Sequence, residues 1–259
     1  MEQHKPSVRA EALELLRKGI PNRVVAEHLN VPRGTVGWWL SEDRKKRNIR
    51  YVQPTDCPRC TGRAYDHEAY AYLLGLYLGD GHIISKPKQH HLSIFCDARH
   101  TGLIAATEDT MRRVMPMPRV NTRYKTGCGE VKSYSKHWPC LFPQHGPGKK
   151  HERTIALESW QQDIVDAHPW EFIRGLIHSD GCRVTNWTTR VVGGERKRYE
   201  YPRYFFTNTS TDIVELFTGT LDRLGVEWKT LNQSRAAVTV SIARKASVAL
   251  MDVYVGPKY

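Results

Sequence analysis

Apolar residues recur along this chain with two different periods, and the changes of period mark its parts. Over residues 7–40 the spacing is helical and predicts three short helices, at about 7–18, 22–29 and 33–40. Ala10, Leu13, Leu15 and Leu16 supply most of the first apolar face. Val24, Val25, Ala26 and Leu29 supply the second, and Val36, Trp39 and Leu40 the third. Gly19-Ile-Pro21 and Asn30-Val-Pro32 separate them, with Asn22 placed to cap the second helix. Further on, two long apolar runs end near residues 79 and 179. After each the pattern becomes strand, turn, strand, helix, strand, strand, helix. The first copy predicts strands at 82–85 and 91–96 around Lys86-Pro-Lys-Gln-His90, a helix at 99–114, and strands at 118–124 and 130–136. The second predicts strands at 183–192 and 196–207 around the turn Gly193-Gly194. A helix at 211–224, strands at 226–231 and 236–242, and a helix at 246–255 complete it. The fold class is α+β: a small all-α unit (1–45), a connector (46–65), and two repeats (66–165 and 166–259).

The apolar runs are two copies of one pattern. Tyr72-Leu-Leu-Gly-Leu-Tyr-Leu-Gly-Asp80-Gly81 matches Phe172-Ile-Arg-Gly-Leu-Ile-His-Ser-Asp180-Gly181, 100 residues further on. Gly75 and Gly79, like Gly175 and Ser179, stand four apart on one helix face, which lets two backbones approach closely. Gly81 and Gly181 are placed to end the helices. If the helices pack in parallel, Asp80 and Asp180 converge at their negative ends and repel each other. A cation must compensate, and hard Mg2+ prefers carboxylate and carbonyl oxygens.

These segments resemble the paired LAGLIDADG motifs of homing endonucleases, and the repeats they head cover roughly residues 66–259. The resemblance implies two αββαββα halves related by a pseudo-twofold axis, whose strands form a saddle over duplex DNA. It implies Mg2+-dependent phosphodiester hydrolysis, with two or three ions between Asp80 and Asp180 and with Mn2+ or Ca2+ able to substitute. The carbonyls of Gly79 and Ser179 would assist. Basic residues are expected around such a site. Near the repeat ends stand Gly146-Pro-Gly-Lys149-Lys150-His151 and Gly256-Pro-Lys258-Tyr259, so Lys149, Lys150 and Lys258 are the candidates to stabilise the transition state. Two features depart from the pattern. Arg174 and His178 lie where apolar residues are usual, Arg174 able to sit on the outer face and His178 either to disturb the interface or to face solvent.

Charge agrees with a polyanionic partner. The 259 residues carry 39 Lys plus Arg against 27 Asp plus Glu, for a net charge of +12. The three-helix pattern resembles a helix-turn-helix unit, with Arg33, Thr35 and Trp38 facing DNA; the alternative is a small helical protein-interaction domain. The basic run that follows, with Lys45, Lys46 and Arg47, is either a solvated linker or a track for phosphates. In the body, Lys86, Lys88 and Gln89 of the first hairpin and Arg183, Arg190, Arg196 and Arg198 of the second are candidates for DNA contact.

Six cysteines in a chain this long make no disulfide scaffold, and they suggest a reducing, cytoplasmic setting, nucleoid-associated in a bacterium. Cys57-Pro-Arg-Cys60 is either two reduced cysteines in a turn, the reading favoured by the sequence, or half of a structural zinc site. Its other ligands would have to come from His67, Cys96, Cys128, Cys140 or Cys182, none of which forms a second close pair. No apolar run is long enough to span a membrane, and the N-terminus has no apolar signal region. The leading expectation is a monomeric, site-specific double-stranded DNA endonuclease. A non-cleaving DNA-binding regulator on the same scaffold and an RNA maturase are the alternatives.

Overall fold

The protein is described here by a computed structural model covering residues 4–49, 55–86, 89–231 and 237–259. The chain divides into two units, Met1–Pro54 and Thr55–Tyr259. Among the described residues no helix is long and apolar enough to cross a membrane.

The first unit has three helices, α1 (Pro6–Arg17), α2 (Asn22–His28) and α3 (Arg33–Lys46). They close on a small core of Ala12, Val25, Ala26, Val31, Val36 and Trp39, with Leu13, Leu15, Leu16 and Leu29 packed around it. Ala10 is exposed, and Ala12 takes the central place instead. Asn22 does not cap α2. Pro21 precedes the helix and no side chain bonds its first N–H groups. The third helix runs six residues past the predicted end at Leu40 and crosses the expected boundary at 45/46. Asp43 lies nearly buried inside it, with the guanidinium of Arg17 at 2.5 Å and that of Arg47 at 3.5 Å. This ion pair to α1, plus good helix formers at Glu42, Arg44, Lys45 and Lys46, carries the helix on. The start of the basic run is therefore helical; Arg50 lies outside the described residues.

The second unit opens with a short turn of helix, α4 (Pro58–Thr61), followed by α5 (His67–Leu78). Strands β1 (Gly81–Lys86) and β2 (Gln89–Asp97), helix α6 (Thr101–Val114), and strands β3 (Val120–Lys125) and β4 (Cys128–Tyr134) complete the first sheet layer. A short helix α7 (Trp138–Leu141), a 3-10 turn at Lys150–Glu152 and α8 (Ser159–Ala167) lead to the second repeat. That repeat contains α9 (Pro169–Asp180), β5 (Gly181–Val192), β6 (Glu195–Asn208), α10 (Thr211–Arg223), β7 (Lys229–Leu231), β8 (Val238–Ile242) and α11 (Lys245–Tyr254). The two four-stranded antiparallel sheets have the same order, β1-β2-β4-β3 and β5-β6-β8-β7. Gly193 and Gly194 both have positive φ, at 62° and 85°, as a tight hairpin turn requires.

Helices α5 and α9 form the centre. Asp66 caps α5 by accepting from Ala69 N–H at 2.9 Å, and residues Ala69–Leu78 are all buried. A Cβ on Gly75 would lie 2.5 Å from the Phe172 carbonyl oxygen and 2.8 Å from the Cα of Gly175. A Cβ on Gly79 would run into Ser179. The order of these contacts is the same along both helices, so they run parallel with backbones touching. Gly81 and Gly181 do not end their helices through a left-handed residue. Neither has a positive φ. A Cβ on Gly81 would instead meet the Tyr77 Cα at 2.5 Å, and one on Gly181 the Phe205 carbonyl at 2.9 Å. They are small because each strand leaves directly beside its helix.

Replacing Gly75 by Ala places a methyl group against backbone that has no rotamer to yield. The variant is expected to lose about 2–4 kcal/mol of stability. Urea unfolding of the two proteins measures this, and an unchanged midpoint would contradict the backbone contact.

Candidate active site

The contact between α5 and α9 fixes two acids. Asp80 follows the Gly79 cap of α5, and Asp180 is the last residue of α9. A cleft of about 620 Å3 is bordered by Tyr77, Gly79, Gly81, His82, Lys150, Asp180 and Asn208. Two lysines act on the charges of both acids. The ammonium group of Lys150 donates to the carbonyls of Tyr77 at 2.7 Å and Gly81 at 2.9 Å, and also to that of Gly79. Lys258 donates to the Ser179 carbonyl at 2.6 Å. Each lysine follows a Gly-Pro pair, so the pseudo-twofold repeat extends from the acids to their neighbours. Lys149 points elsewhere, with its ammonium 3.3 Å from Glu152 and largely exposed.

Asp80 is exposed and Asp180 half-buried. Partial desolvation by the surrounding protein raises the carboxyl pKa of Asp80, opposed by the charges of Lys258 and Lys150. Asp180 is pushed up to about 6, first by burial and then by the Asp80 carboxylate, against the pull of Lys150, Asn208 and Lys258. Burial brings Lys150 down to about 8 although both aspartates favour its charge. Asn208, at the end of β6, donates to Asp180 Oδ2 at 2.7 Å. Nothing in the local sequence marked Asn208; only strand register brings it to the acid.

The donor set fits a hard divalent cation, since two carboxylates and nearby backbone carbonyls offer oxygen ligands. The carbonyls of Gly79 and Ser179 already accept lysine hydrogens, and each oxygen retains a second lone pair.

His178 neither faces solvent nor disrupts the helix pair. It is buried, its Nδ1 lies 2.9 Å from the Tyr72 hydroxyl, and burial holds its pKa down to about 4. Arg174 pairs with Glu171 and lies over the Tyr72 ring at 4.6 Å.

Strand register sorts the remaining basic candidates. In the second sheet, Arg183 pairs with Tyr204, Thr189 with Arg198, and Val191 with Arg196. Alternation therefore puts Arg183, Arg196 and Arg198 on the side of the ladder that carries the buried Tyr204 and Phe206. Arg183 is held by Asp252 of α11 through bonds of 2.6 and 2.9 Å, and Arg198 pairs with Glu200 at 2.7 Å. Arg190 lies on the opposite side, with Lys197, Tyr199, Tyr201 and Arg203. The equivalent side of the first sheet carries His82, Asn121, Arg123, Lys125 and Lys132. Lys125 and Lys132 both stand 3.7 Å from Glu130. Sequence reasoning missed Asn121, Arg123, Lys125 and Lys132, although the period-2 alternation of β3 and β4 contains them. Lys88 lies outside the described residues, and Lys86 and Gln89 are placed only as strand ends. In the first unit, Arg33 and Trp38 are exposed and Thr35 half-buried on α3. Lys45, Lys46 and Arg47 are exposed near its end, with Lys45 paired to Glu42 at 2.9 Å.

No protein-family profile and no curated protein matches the chain. Homing endonucleases are among the solved structures that resemble it. Among them are variants of I-DmoI, at 14% identity and a TM-score of 0.48 over 73% of this chain and 89% of that one. I-DmoI in complex with DNA and Mn aligns at 12% identity and a TM-score of 0.48, covering 74% of this chain and 98% of that one. The LAGLIDADG meganuclease I-AabMI bound to uncleaved DNA aligns at 12% and 0.47, covering 71% and 83%.

A stability test follows from Asp180. Its folded pKa, near 6, lies above the ordinary value of 3.8. Above pH 6 it is ionised whether folded or unfolded, so the folded state bears the cost of holding a half-buried charge beside Asp80. As pH falls through 6 towards 3.8 the folded state takes up the proton first, and the cost disappears. Without divalent ions, Asp180→Asn should therefore stabilise the protein at pH 8 by about 1–2 kcal/mol, and not at pH 4. Thermal unfolding at both pH values reads this; an equal gain at both would contradict a strained carboxylate.

Proposed function

We propose that the protein is a site-specific double-stranded DNA endonuclease of the homing type, with Asp80 and Asp180 holding divalent metal ions. The observation that carries this reading is the paired acids at the ends of two parallel, glycine-packed helices, each beside a lysine bonded to the carbonyl that precedes the acid. Divalent ions held there would activate water and relieve charge on the phosphate. The chain's own residues do the rest. Lys150 and Lys258 bring positive charge to where a pentacoordinate phosphate accumulates negative charge. Asn208 orients the Asp180 carboxylate. One acid from each repeat suits one cut on each strand, so a single chain suffices for a duplex. The open sides of the sheets, with Arg190, Lys197 and Arg203 on one and Asn121, Arg123, Lys125 and Lys132 on the other, offer Arg, Asn and Lys groups to base edges and phosphates. The first unit acts as a helix-turn-helix reader through Arg33, Thr35 and Trp38, with Lys45, Lys46 and Arg47 on phosphates.

A second reading is supported by one observation. Two ammonium groups already balance the two carboxylates, so the free protein needs no metal for charge neutrality. A non-cleaving DNA-binding regulator is consistent with that.

Cleavage of a randomised duplex library, with Mg2+ or with EDTA, separates the two. The nuclease reading expects Mg2+-dependent cuts at one long site, abolished in Asp80→Asn and Asp180→Asn while binding persists. Selective binding without cuts favours the regulator.

The two neighbouring lysines give a finer test. On the selected site, Lys150→Met is expected to lower the single-turnover rate by about 10- to 100-fold with little change in binding, and Lys149→Met to leave it unchanged. Equal effects would remove Lys150 from the active site.

A further inference from the structure

We propose that Cys57, Cys60, His137 and Cys140 bind one structural Zn2+ ion. The inference does not depend on the nuclease reading. The sequence shows two short pairs with equal spacing, Cys57-Pro-Arg-Cys60 and His137-Trp-Pro-Cys140. The second was overlooked in the sequence because its first member is a histidine. His67, Cys96, Cys128 and Cys182 do not join the group.

The two pairs are built alike. Cys60 N–H bonds the Cys57 carbonyl at 3.1 Å, and Cys140 N–H bonds the His137 carbonyl at 3.0 Å. Each pair forms the entry to a one-turn helix, α4 or α7, and the two helices pack together. The four ligand atoms all lie within 4.8 Å of one another. A tetrahedral zinc with Zn–S near 2.3 Å and Zn–N near 2.0 Å sets S···S at roughly 3.8 Å and S···N at roughly 3.5 Å. The Cys60 and Cys140 sulfurs are 3.7 Å apart. His137 Nδ1 lies 3.3 Å from the Cys60 sulfur and 3.9 Å from that of Cys140. A disulfide would need sulfurs at about 2.05 Å, and all three cysteines are free.

Three thiolates and one imidazole fill the tetrahedron and leave no position for water or substrate, so the ion is structural. It ties residues 57–60, at the start of the second unit, to α7. Helix α7 is in turn joined to the central α5, where the Tyr70 hydroxyl donates to the Leu141 carbonyl at 2.5 Å.

The test uses the full chain, purified under reducing conditions and dialysed without chelator. Elemental analysis should find one zinc per chain, and none in the double variant Cys60→Ser, Cys140→Ser. In case that variant fails to fold, wild-type protein stripped of metal and given Co2+ should show the strong visible bands and sulfur-to-metal charge transfer of tetrahedral thiolate cobalt. Chelator treatment should also lower the melting temperature by several degrees. Zinc no higher than in the double variant, cobalt spectra of an octahedral aquo ion, or a Cys60–Cys140 disulfide in the intact mass would each overturn the proposal.

Discussion

The second unit depends on one contact, the meeting of two backbones at Gly75 and Gly175. Helices that touch through side chains keep their axes about 8–10 Å apart. Without side chains at the crossing, α5 and α9 come closer, and the residues that follow them are forced together. Asp80 and Asp180 are neighbours for that reason. Their raised carboxyl pKa values follow from the same contact, since it sets the two charges close together and lays protein against both acids. Any group that widened the crossing would separate the acids before it touched them.

The two repeats are not equal where the chemistry would occur. Register places Gly181 opposite Phe206 and Gly81 opposite Ile94, so Asn208 in the second repeat corresponds to Cys96 in the first. Asn208 donates to Asp180. Among the described residues Asp80 accepts no side-chain hydrogen bond, and Cys96 lies against Thr107 instead. One carboxylate is thus held in orientation and the other is balanced by charge alone. The helix interface is unequal too, with Tyr72 of the first repeat meeting His178 of the second.

Much of this was legible in the sequence, and the reasons differ by residue. Glycines four apart and a duplicated Asp-Gly announce a close helix pair because only packing explains that spacing. The order of strands and helices is readable from period and turn residues such as Gly193-Gly194. What the sequence hid depended on distant partners. Arg183 looks available until Asp252, 69 residues away, is found against it. Helix α3 looks finished at Leu40 until Asp43 meets Arg17. Arg196 and Arg198 look like groove residues until register shows them on the side of Tyr204. Gly81 and Gly181 invited a helix-capping explanation, whereas steric crowding against Tyr77 and Phe205 is the cause. Local propensity cannot reveal a constraint imposed by tertiary contact.

The central claim is that the converging acids hold divalent metal against DNA. It is tested most directly by a crystal of the protein on its selected duplex, grown with Mn2+ and measured at the manganese absorption edge. The account predicts anomalous density between the Asp80 and Asp180 carboxylates, adjoining a phosphate of the duplex. Bound DNA with no manganese there, and only lysine ammonium groups beside the two acids, would contradict it.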